Sequence, residues 1–173
     1  MRIRKATQED FLRVHQFTSE CPPMENYPEH LYKIILRYFG DYCFIAEKKG
    51  LLVGFAMGIV PQSFPHTYFL WQVGVSPSYQ GQGIGGKLVR EVENEIKKKG
   101  ITRIEVTIDP VNSPSQKLFE KKGYQNISNK VGKTIEVQGN IAVQDYYKHG
   151  RHFMVYEKLL GQEYGDDERI TGI

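Results

Sequence analysis

A glycine-rich loop between a buried strand and a helix is the part of this sequence that most directly predicts chemistry. The loop reads Gln80-Gly81-Gln82-Gly83-Ile84-Gly85-Gly86-Lys87. Glycines let the backbone approach a ligand closely, several amides can point at one anion, and a helix N-terminus adds partial positive charge. The loop therefore predicts a phosphate-binding site. A merely flexible loop is disfavoured, because four glycines cost much conformational entropy.

Two nucleotide-binding motifs match these glycines in spacing but not in context. Gly81, Gly83 and Gly86 fit the dinucleotide fingerprint, which should follow its strand at once in a first βαβ unit. Here the strand ends near Val75, several residues earlier, and an antiparallel meander precedes it. The loop also fits Walker spacing, but Leu88 stands where the magnesium-binding Ser or Thr must be. Nucleotide hydrolysis is therefore disfavoured.

A third interpretation adds a second motif. The pattern Gln80-x-x-Gly83-x-Gly85, after Val73-Gly74-Val75-Ser76-Pro77, resembles the acyl-CoA loop of the Gcn5-related N-acetyltransferases (GNAT). The stretch from Asn112 to Tyr124 resembles the second motif of that superfamily, an Asn, a short helix, an aromatic residue and a Gly-aromatic stop. The resemblance implies an α/β fold, in which a mixed, mostly antiparallel sheet is splayed at the acetyl-CoA site and carries helices on both faces.

The resemblance also implies how acetyl-CoA, the acetyl donor, is held. Main-chain groups of Val73 and Val75 would pair with the pantetheine arm, and amides from Gln80 to Gly86 would hold the pyrophosphate. Lys87 either adds charge or is a solvated lysine on the helix face. The expected cofactor-binding residues are Val73, Gly74, Val75, Gln80, Gly81, Gln82, Gly83, Ile84, Gly85, Gly86, Lys87, Asn112, Ser115 and Phe119.

Acetyl transfer to an amine needs a polarised thioester carbonyl and a means of protonating the leaving thiolate. The resemblance implies that the Val73 amide polarises the carbonyl. Many relatives protonate the thiolate with a tyrosine in the Asn-headed helix, but Phe119 stands at that position. Either Ser115 or a water serves instead, or the thiolate leaves unassisted. Tyr124 is interpreted as a packing residue.

The acceptor site is implied by a second resemblance, to the diaminobutyrate acetyltransferases of ectoine synthesis. In that family the residues after Cys-Pro-Pro, a tryptophan on the central strand and a His/Glu pair near the C-terminus surround the diamino acid. The resemblance is carried by Cys21-Pro22-Pro23-Met24-Glu25, Tyr38-Phe39-Gly40-Asp41-Tyr42-Cys43, Val53-Gly54-Phe55, Phe69-Leu70-Trp71-Gln72-Val73 and Thr107-Ile108-Asp109-Pro110-Val111-Asn112. The implied substrate-binding residues are Glu25, Asn26, Trp71, Asp109, His149 and His152.

Two departures from that family leave the identity of the amine open. The Asp-x-Asn-Ser of the family is Glu25-Asn26-Tyr27-Pro28 here, and its C-terminal acidic position is His152. Glu25 keeps a carboxylate that can hold an ammonium. Trp71 is either a core residue or a wall of the substrate site. The histidines lack metal-ligand spacing, so no metal is expected.

Three functions remain open on the sequence alone. The first is an N-acetyltransferase for a small amine such as the diamino acid 2,4-diaminobutyrate. The second takes a peptide N-terminus, a lysine or a polyamine as acceptor, and a peptide or protein acceptor would require an open cleft. The third is a CoA-binding module without catalysis, which the replacement of the usual acid by Phe119 suggests.

Composition limits the remaining possibilities. With 173 residues, 40% hydrophobic and 25% charged, we expect one domain over residues 1–160 and a polar tail over 161–173. A net charge of +3 does not favour nucleic acid or membrane as the main partner. Two cysteines and no apolar leader predict a soluble cytoplasmic protein. A homodimer is implied by the resemblance alone, with the apolar segment 141–143 either at such an interface or in the core.

Hydrophobic periodicity and turn residues predict the elements that position these motifs. The chain would form a β-α-α unit, a meander, and then βαβ and αβ units. Strands are predicted over 2–5, 42–47, 51–60, 67–75 and 101–108, with weaker runs over 134–137 and 152–159 separated by a polar loop. Helices are predicted from Thr7 through Phe17, and over 28–39, 84–99 and 112–123.

Overall fold

A computed structural model describes residues 1–22 and 24–161 of the chain. Pro23 of the Cys-Pro-Pro motif and residues 162–173 of the expected tail lie outside the described residues. The helices are α1 (Phe11–Ser19), α2 (Glu29–Tyr38), α3 (Ile84–Lys98), α4 (Ser113–Lys121) and α5 (Ser128–Val131). The strands are β1 (Arg2–Lys5), β2 (Phe44–Lys48), β3 (Leu51–Ile59), β4 (Thr67–Val75), β5 (Arg103–Ile108), β6 (Gln125–Asn126), β7 (Thr134–Val137), β8 (Asn140–Lys148) and β9 (Arg151–Leu159).

The strands form one sheet in the order β1-β2-β3-β4-β5-β9-β8-β7, and β6 pairs with β9. The β4–β5 pair is parallel, because α3 crosses over between these two strands. The other pairs of the described sheet are antiparallel. This mixed, mostly antiparallel sheet confirms the fold class that the sequence predicts.

Helices cover both faces of the sheet. Along β2 the side chains of Phe44 and Ala46 belong to one buried cluster and that of Ile45 to another, because successive residues of a strand face opposite sides. The first cluster contains the apolar stripe of α3, and the second contains that of α1 and α2. The buried residues of α3 are Ile84, Leu88, Val89, Val92, Glu93 and Ile96.

The C-terminal third differs from the prediction. The sequence indicated a polar loop between 137 and 152, but β8 occupies most of it and pairs with both β7 and β9. The pattern is hard to recognise because Asp145 has a φ of 52° and the register with β9 shifts between Val143 and Lys148. Such an irregularity breaks the alternation on which strand prediction depends. Ala142 and Val143 are buried in the core, whereas Ile141 is exposed.

Three further observations on the described residues concern the cysteines, the length of the helices and the metal-ligating side chains. Cys21 and Cys43 are both free and buried. None of the helices within residues 1–22 and 24–161 is long and apolar enough to cross a membrane. The same residues contain no group of three or more His, Cys, Asp or Glu side chains that could hold a metal ion.

Candidate active site

The central strands β4 and β5 separate at their C-terminal ends. Their parallel pairing runs from Thr67 opposite Arg103 to Leu70 opposite Val106, whereas β4 stays paired with β3 as far as Val75. The Ser76 amide donates to the Val53 carbonyl. Because hydrogen-bonding direction alternates along an antiparallel strand, the main-chain groups of Val73 and Val75 face the gap rather than β3. The splay that the sequence predicts is therefore present.

The glycine-rich loop follows this strand and begins α3. Gly81 and Gly83 have φ values of 75° and 74°, a left-handed conformation that glycine adopts without a steric penalty. The first hydrogen bond of the helix runs from the Lys87 amide to the Gly83 carbonyl. The amides of residues 84–86 therefore have no acceptor within the helix and are directed at its N-terminus. Fixed amides at the end of a 15-residue helix are suited to bind phosphate.

The members of this loop differ in what their side chains do. Ile84 is buried in the core, so its amide is the part that faces the N-terminal end of the helix. A Cβ placed on Gly85 would lie at ordinary contact distance from Leu118, and the φ of Gly85 does not require glycine. Gln82 and Lys87 are exposed, and the Gln80 side-chain amide donates to the Val75 carbonyl at 3.3 Å.

A cavity of about 730 Å³ lies at the gap between β4 and β5. Its wall contains eight residues that the sequence predicted for the donor or acceptor: Glu25, Asn26, Trp71, Val73, Asp109, Asn112, Ser115 and Phe119. It also contains residues that were not among the expected binding residues: Met24, Tyr27, Phe69, Gln72, Val106, Thr107, Ile108, Tyr147, Lys148, Arg151 and Phe153. The cavity thus joins the open edge of β4 to a set of charged side chains.

The charged end of the cavity is centred on Glu25. Its carboxylate accepts a hydrogen bond from Arg151 Nη2 at 2.8 Å and another from the Tyr27 hydroxyl. The same Arg151 nitrogen lies 4.0 Å from Asp109 Oδ2. Burial and the bond to Glu25 raise the pKa of Tyr27, so its hydroxyl stays protonated and remains a donor at neutral pH.

Buried hydroxyl groups hold the loop that carries Glu25. The Asn26 side-chain oxygen accepts from Thr18 Oγ1 at 2.9 Å, and the Tyr32 hydroxyl donates to the same Thr18 oxygen at 3.1 Å. The Gln72 side chain donates to the Glu25 carbonyl at 2.8 Å. These bonds fix the main chain at Glu25 without involving its carboxylate. The Asn26 side chain thus helps to hold this loop, and Asn26 also belongs to the cavity wall.

Aromatic rings form two walls of the acceptor end. The rings of Trp71 and Tyr27 lie 4.9 Å apart between centroids, on one side. Tyr147 and Phe153 meet edge to face at 5.0 Å, and the Tyr147 hydroxyl lies 3.1 Å from Thr107 Oγ1. Trp71 is half-buried and lines the cavity, which favours its interpretation as a wall.

The α4 helix contributes the residues expected near the sulfur of the donor. Asn112 caps this helix, because its side-chain oxygen accepts from the Ser115 amide. Phe119 is 1% exposed and packs edge to face on Tyr124, so it offers the cavity an apolar surface and no acid. Tyr124 is buried and donates to Glu93, which agrees with its predicted packing role.

Comparison with known proteins identifies the family of this arrangement. Residues 10–124 match the family model described as the acetyltransferase (GNAT) family. The chain belongs to the GNAT family. The match contains the splayed strand, the glycine loop and α4, which are the elements of the donor end.

Two curated relatives at about one-third identity carry the same name. The L-2,4-diaminobutyric acid acetyltransferase of Chromohalobacter salexigens is 34% identical over 120 residues, which are 69% of this chain and 62% of the relative. The protein of the same name from Halomonas elongata is 33% identical over the same shares. This chain thus aligns with somewhat less than two-thirds of the length of these relatives.

Solved GNAT structures share the whole fold. Diaminobutyrate acetyltransferase from Paenibacillus lautus, solved with L-2,4-diaminobutyric acid and coenzyme A, has a TM-score of 0.73 and 24% identity, covering 95% of this chain and 98% of that one. Ard1 from Thermoplasma volcanium has a TM-score of 0.76 at 14% identity, covering 93% and 98%. At these identities the likeness shows the fold alone.

Two predicted acceptor residues are not brought to the GNAT cavity. His149 has a side chain that is 99% exposed, with Nδ1 3.5 Å from Asp145. His152 accepts a hydrogen bond on Nδ1 from the Asp145 amide, so it is used inside the β8–β9 hairpin. Neither residue belongs to the cavity wall. The hairpin instead contributes Tyr147 and Arg151, and their residue types alone do not show that they face the cavity.

Proposed function

We propose that this GNAT protein transfers the acetyl group of acetyl-CoA to a primary amine of a small diamino acid such as 2,4-diaminobutyrate. The observation that carries the proposal is a single cavity that contacts both Val73 at the open edge of β4 and the carboxylates Glu25 and Asp109. The names of the curated relatives support the same reaction and acceptor.

The donor end fits acetyl-CoA, which when bound supplies an activated acetyl thioester. Val73 and Val75 offer main-chain groups for an extended arm, as an added strand would use them. Positive φ at Gly81 and Gly83 directs the following amides to one point, where a pyrophosphate gains several hydrogen bonds. Lys87 is exposed in the first turn of α3 and adds positive charge there.

The acceptor end is suited to a cationic amine. Glu25 and Asp109 supply negative charge, and charge-assisted hydrogen bonds from an ammonium are stronger than neutral ones. Trp71 and Tyr27 close one side with flat apolar surface, which favours a compact acceptor. A peptide N-terminus, a lysine or a polyamine is the alternative acceptor, and the experiment below separates them.

The catalytic roles follow from the groups that the cavity exposes. The Val73 amide faces the gap and is the donor proposed to polarise a thioester oxygen. Ser115 is the hydroxyl of α4 on the cavity wall. It is proposed to pass a proton to the thiolate while it takes one from the attacking amine nitrogen, which must lose a proton for the amide to form. Phe119 cannot donate a proton. Because a thiol has a pKa of about 8.5, a thiolate also leaves tolerably without help.

Further proposals concern the setting of the enzyme. The free, buried thiols of Cys21 and Cys43 favour a reducing compartment, and we propose the cytoplasm. We also propose one catalytic domain over residues 1–160, because a single sheet runs through the described part of it. A homodimer stays a prediction of the resemblance.

Release of free CoA thiol from acetyl-CoA tests the proposal directly. The purified chain is offered 2,4-diaminobutyrate, polyamines, aminoglycosides and short peptides in separate reactions. We expect turnover to be fastest with 2,4-diaminobutyrate. Faster turnover with another amine would keep the acetyltransferase and discard this acceptor. Thermal stabilisation by acetyl-CoA without thiol release on any amine would indicate a binding module.

A further inference from the structure

Arg151 is a cation at the acceptor end that no prediction included. It begins β9, and its side chain is 40% exposed. Its guanidinium lies 2.8 Å from Glu25, 4.0 Å from Asp109 and 5.2 Å from the centroid of the Phe153 ring. The Phe153 ring is buried, and it therefore supports one face of the guanidinium while the edge points at the carboxylates.

The Arg151–Glu25 ion pair contributes little to the fold. Both side chains are nearly half exposed, at 40% and 49%, and exposed ion pairs stabilise proteins only weakly. The loop that carries Glu25 is already held by the partly buried Thr18–Asn26 bond and by Gln72. Arg151 and Glu25 are thus free to exchange their mutual contact for contacts with a ligand.

The three charged groups together match the head group of an amino acid. A head group of this kind carries an ammonium and a carboxylate on one carbon atom, and it needs an anion and a cation side by side. Glu25 and Arg151 are such a neighbouring pair, and Asp109 lies beside them as a second anion. A guanidinium presents several donors in a planar fork, which binds a carboxylate through two parallel bonds.

We propose that Arg151 binds the carboxylate of the acceptor, while Glu25 and Asp109 bind the ammonium on the same carbon atom. Arg151 thereby selects diamino acids over diamines and polyamines, which lack the carboxylate. This inference rests on the proposed function and deepens it, because it assigns the choice of acceptor to a residue of the β8–β9 hairpin.

The test compares two acceptors that differ by the carboxylate. The acceptors are 2,4-diaminobutyrate and 1,3-diaminopropane, which has the same two amines on the same three-carbon spacing. We expect Arg151→Gln to lower kcat/KM for 2,4-diaminobutyrate at least tenfold, since it removes charge-assisted hydrogen bonds. The value for 1,3-diaminopropane should stay the same or rise, because a positive charge has left its site. Arg151→Lys should lie between wild type and Arg151→Gln.

A matched control is Arg2→Gln, which removes the same charge from exposed β1 at the far edge of the sheet. Arg2→Gln should leave kcat/KM unchanged for both acceptors. An equal loss for both acceptors in Arg151→Gln would overturn the inference and leave Arg151 as a support of Glu25. An unchanged value for 2,4-diaminobutyrate would overturn it as well. Thermal unfolding of each variant excludes a folding defect as the cause.

Calorimetric binding separates failure of this inference from failure of the proposed function. If wild type releases no thiol with any amine, the proposed function fails. Titration of the CoA-saturated protein, which has no acetyl group to transfer, with 2,4-diaminobutyrate still tests Arg151, and we expect binding at least tenfold weaker in Arg151→Gln. Equal binding by both proteins would overturn the inference, whatever the outcome of the turnover assay.

Discussion

The donor and acceptor ends of the cavity are built in different ways. The donor end is mainly backbone from one continuous stretch, the C-terminal half of β4 and the loop that begins α3. The acceptor end consists of side chains from three separate segments, represented by Glu25, Asp109 and Arg151. Glu25 and Arg151 are hydrogen-bonded although 126 positions separate them in the sequence.

This difference explains how a GNAT fold can keep its donor and change its acceptor. Amide groups are present whatever the residue type, so recognition of the donor depends on strand pairing and on a few positive φ angles. Recognition of the acceptor depends on side chains, each of which can be replaced without moving the sheet. Function therefore varies at one end of a shared architecture.

Glu25→Gln gives the largest effect expected at the acceptor end. The substitution keeps the shape of the side chain and removes the charge that holds an ammonium. Hydrogen bonds to charged groups are worth about 1.5–3 kcal/mol, so KM for the amine should rise roughly 10- to 100-fold. KM for acetyl-CoA should stay within about twofold. Steady-state kinetics with each substrate varied in turn measures both, and equal increases would show that the two ends are not separate.

Asp10→Asn is the matched control, because Asp10 is also bound by an arginine but lies outside the cavity wall. Its side chain is 6% exposed and accepts from Arg4 at 2.8 Å and from the Thr7 amide at 2.9 Å. Burial would raise the pKa of this carboxyl, but the bonds from Arg4 and Thr7 outweigh it and lower the pKa from 3.8 to about 2. Asp10→Asn should therefore lower the free energy of unfolding and leave KM for the amine unchanged.

The sign of the pH dependence follows from that lowered pKa. The stabilisation from Asp10 is fully present above the unfolded pKa near 4 and is lost as pH falls through the folded value near 2. Asp10→Asn should thus lower the free energy of unfolding by about 2 kcal/mol at pH 7, and by progressively less between pH 4 and pH 2. Urea unfolding at several pH values measures this. A difference that is constant with pH would contradict the assignment.

The same contrast explains which parts of the site could be predicted from the sequence. The strands predicted over 42–47 and 51–60 are joined at Lys49 and Gly50, whose φ values are 52° and 80°, so this turn depends on neighbouring residues, as the donor loop does with Gly81 and Gly83. The strand over 152–159 was predicted, but its hairpin partner β8 was missed because the register shift and Asp145 hide the strand pattern. Which hairpin residues face the cavity depends on that register, so Arg151 could not be predicted.

Two glycines at opposite ends of α3 test the donor end. Gly83 and Gly100 have φ values of 74° and 73°, and neither has an atom within 4 Å of a Cβ placed on it. Alanine at either position should cost about 1–2 kcal/mol of stability through the same backbone strain. Only Gly83→Ala should also raise KM for acetyl-CoA, by roughly 5- to 30-fold. The positive φ of Gly83 directs the amides of residues 84–86 at the phosphate, and alanine disfavours that φ. Similar KM values for acetyl-CoA in the two variants would show that the phosphate does not bind at the N-terminus of α3.

Ser115→Ala should have the smallest effect, although it removes the proposed proton donor. A general acid usually contributes 10²- to 10⁴-fold, but a thiolate whose conjugate acid has a pKa of about 8.5 leaves readily near neutral pH. We therefore expect kcat to fall about fivefold, with KM for both substrates unchanged. The fall should grow as pH is raised if Ser115 transfers the proton, because solvent and buffer acids protonate the departing thiolate less effectively at high pH. An unchanged kcat across pH 6–9 would show that departure of the thiolate needs no group on α4, and the backbone of β4 would then be the only catalytic element proposed at the donor end.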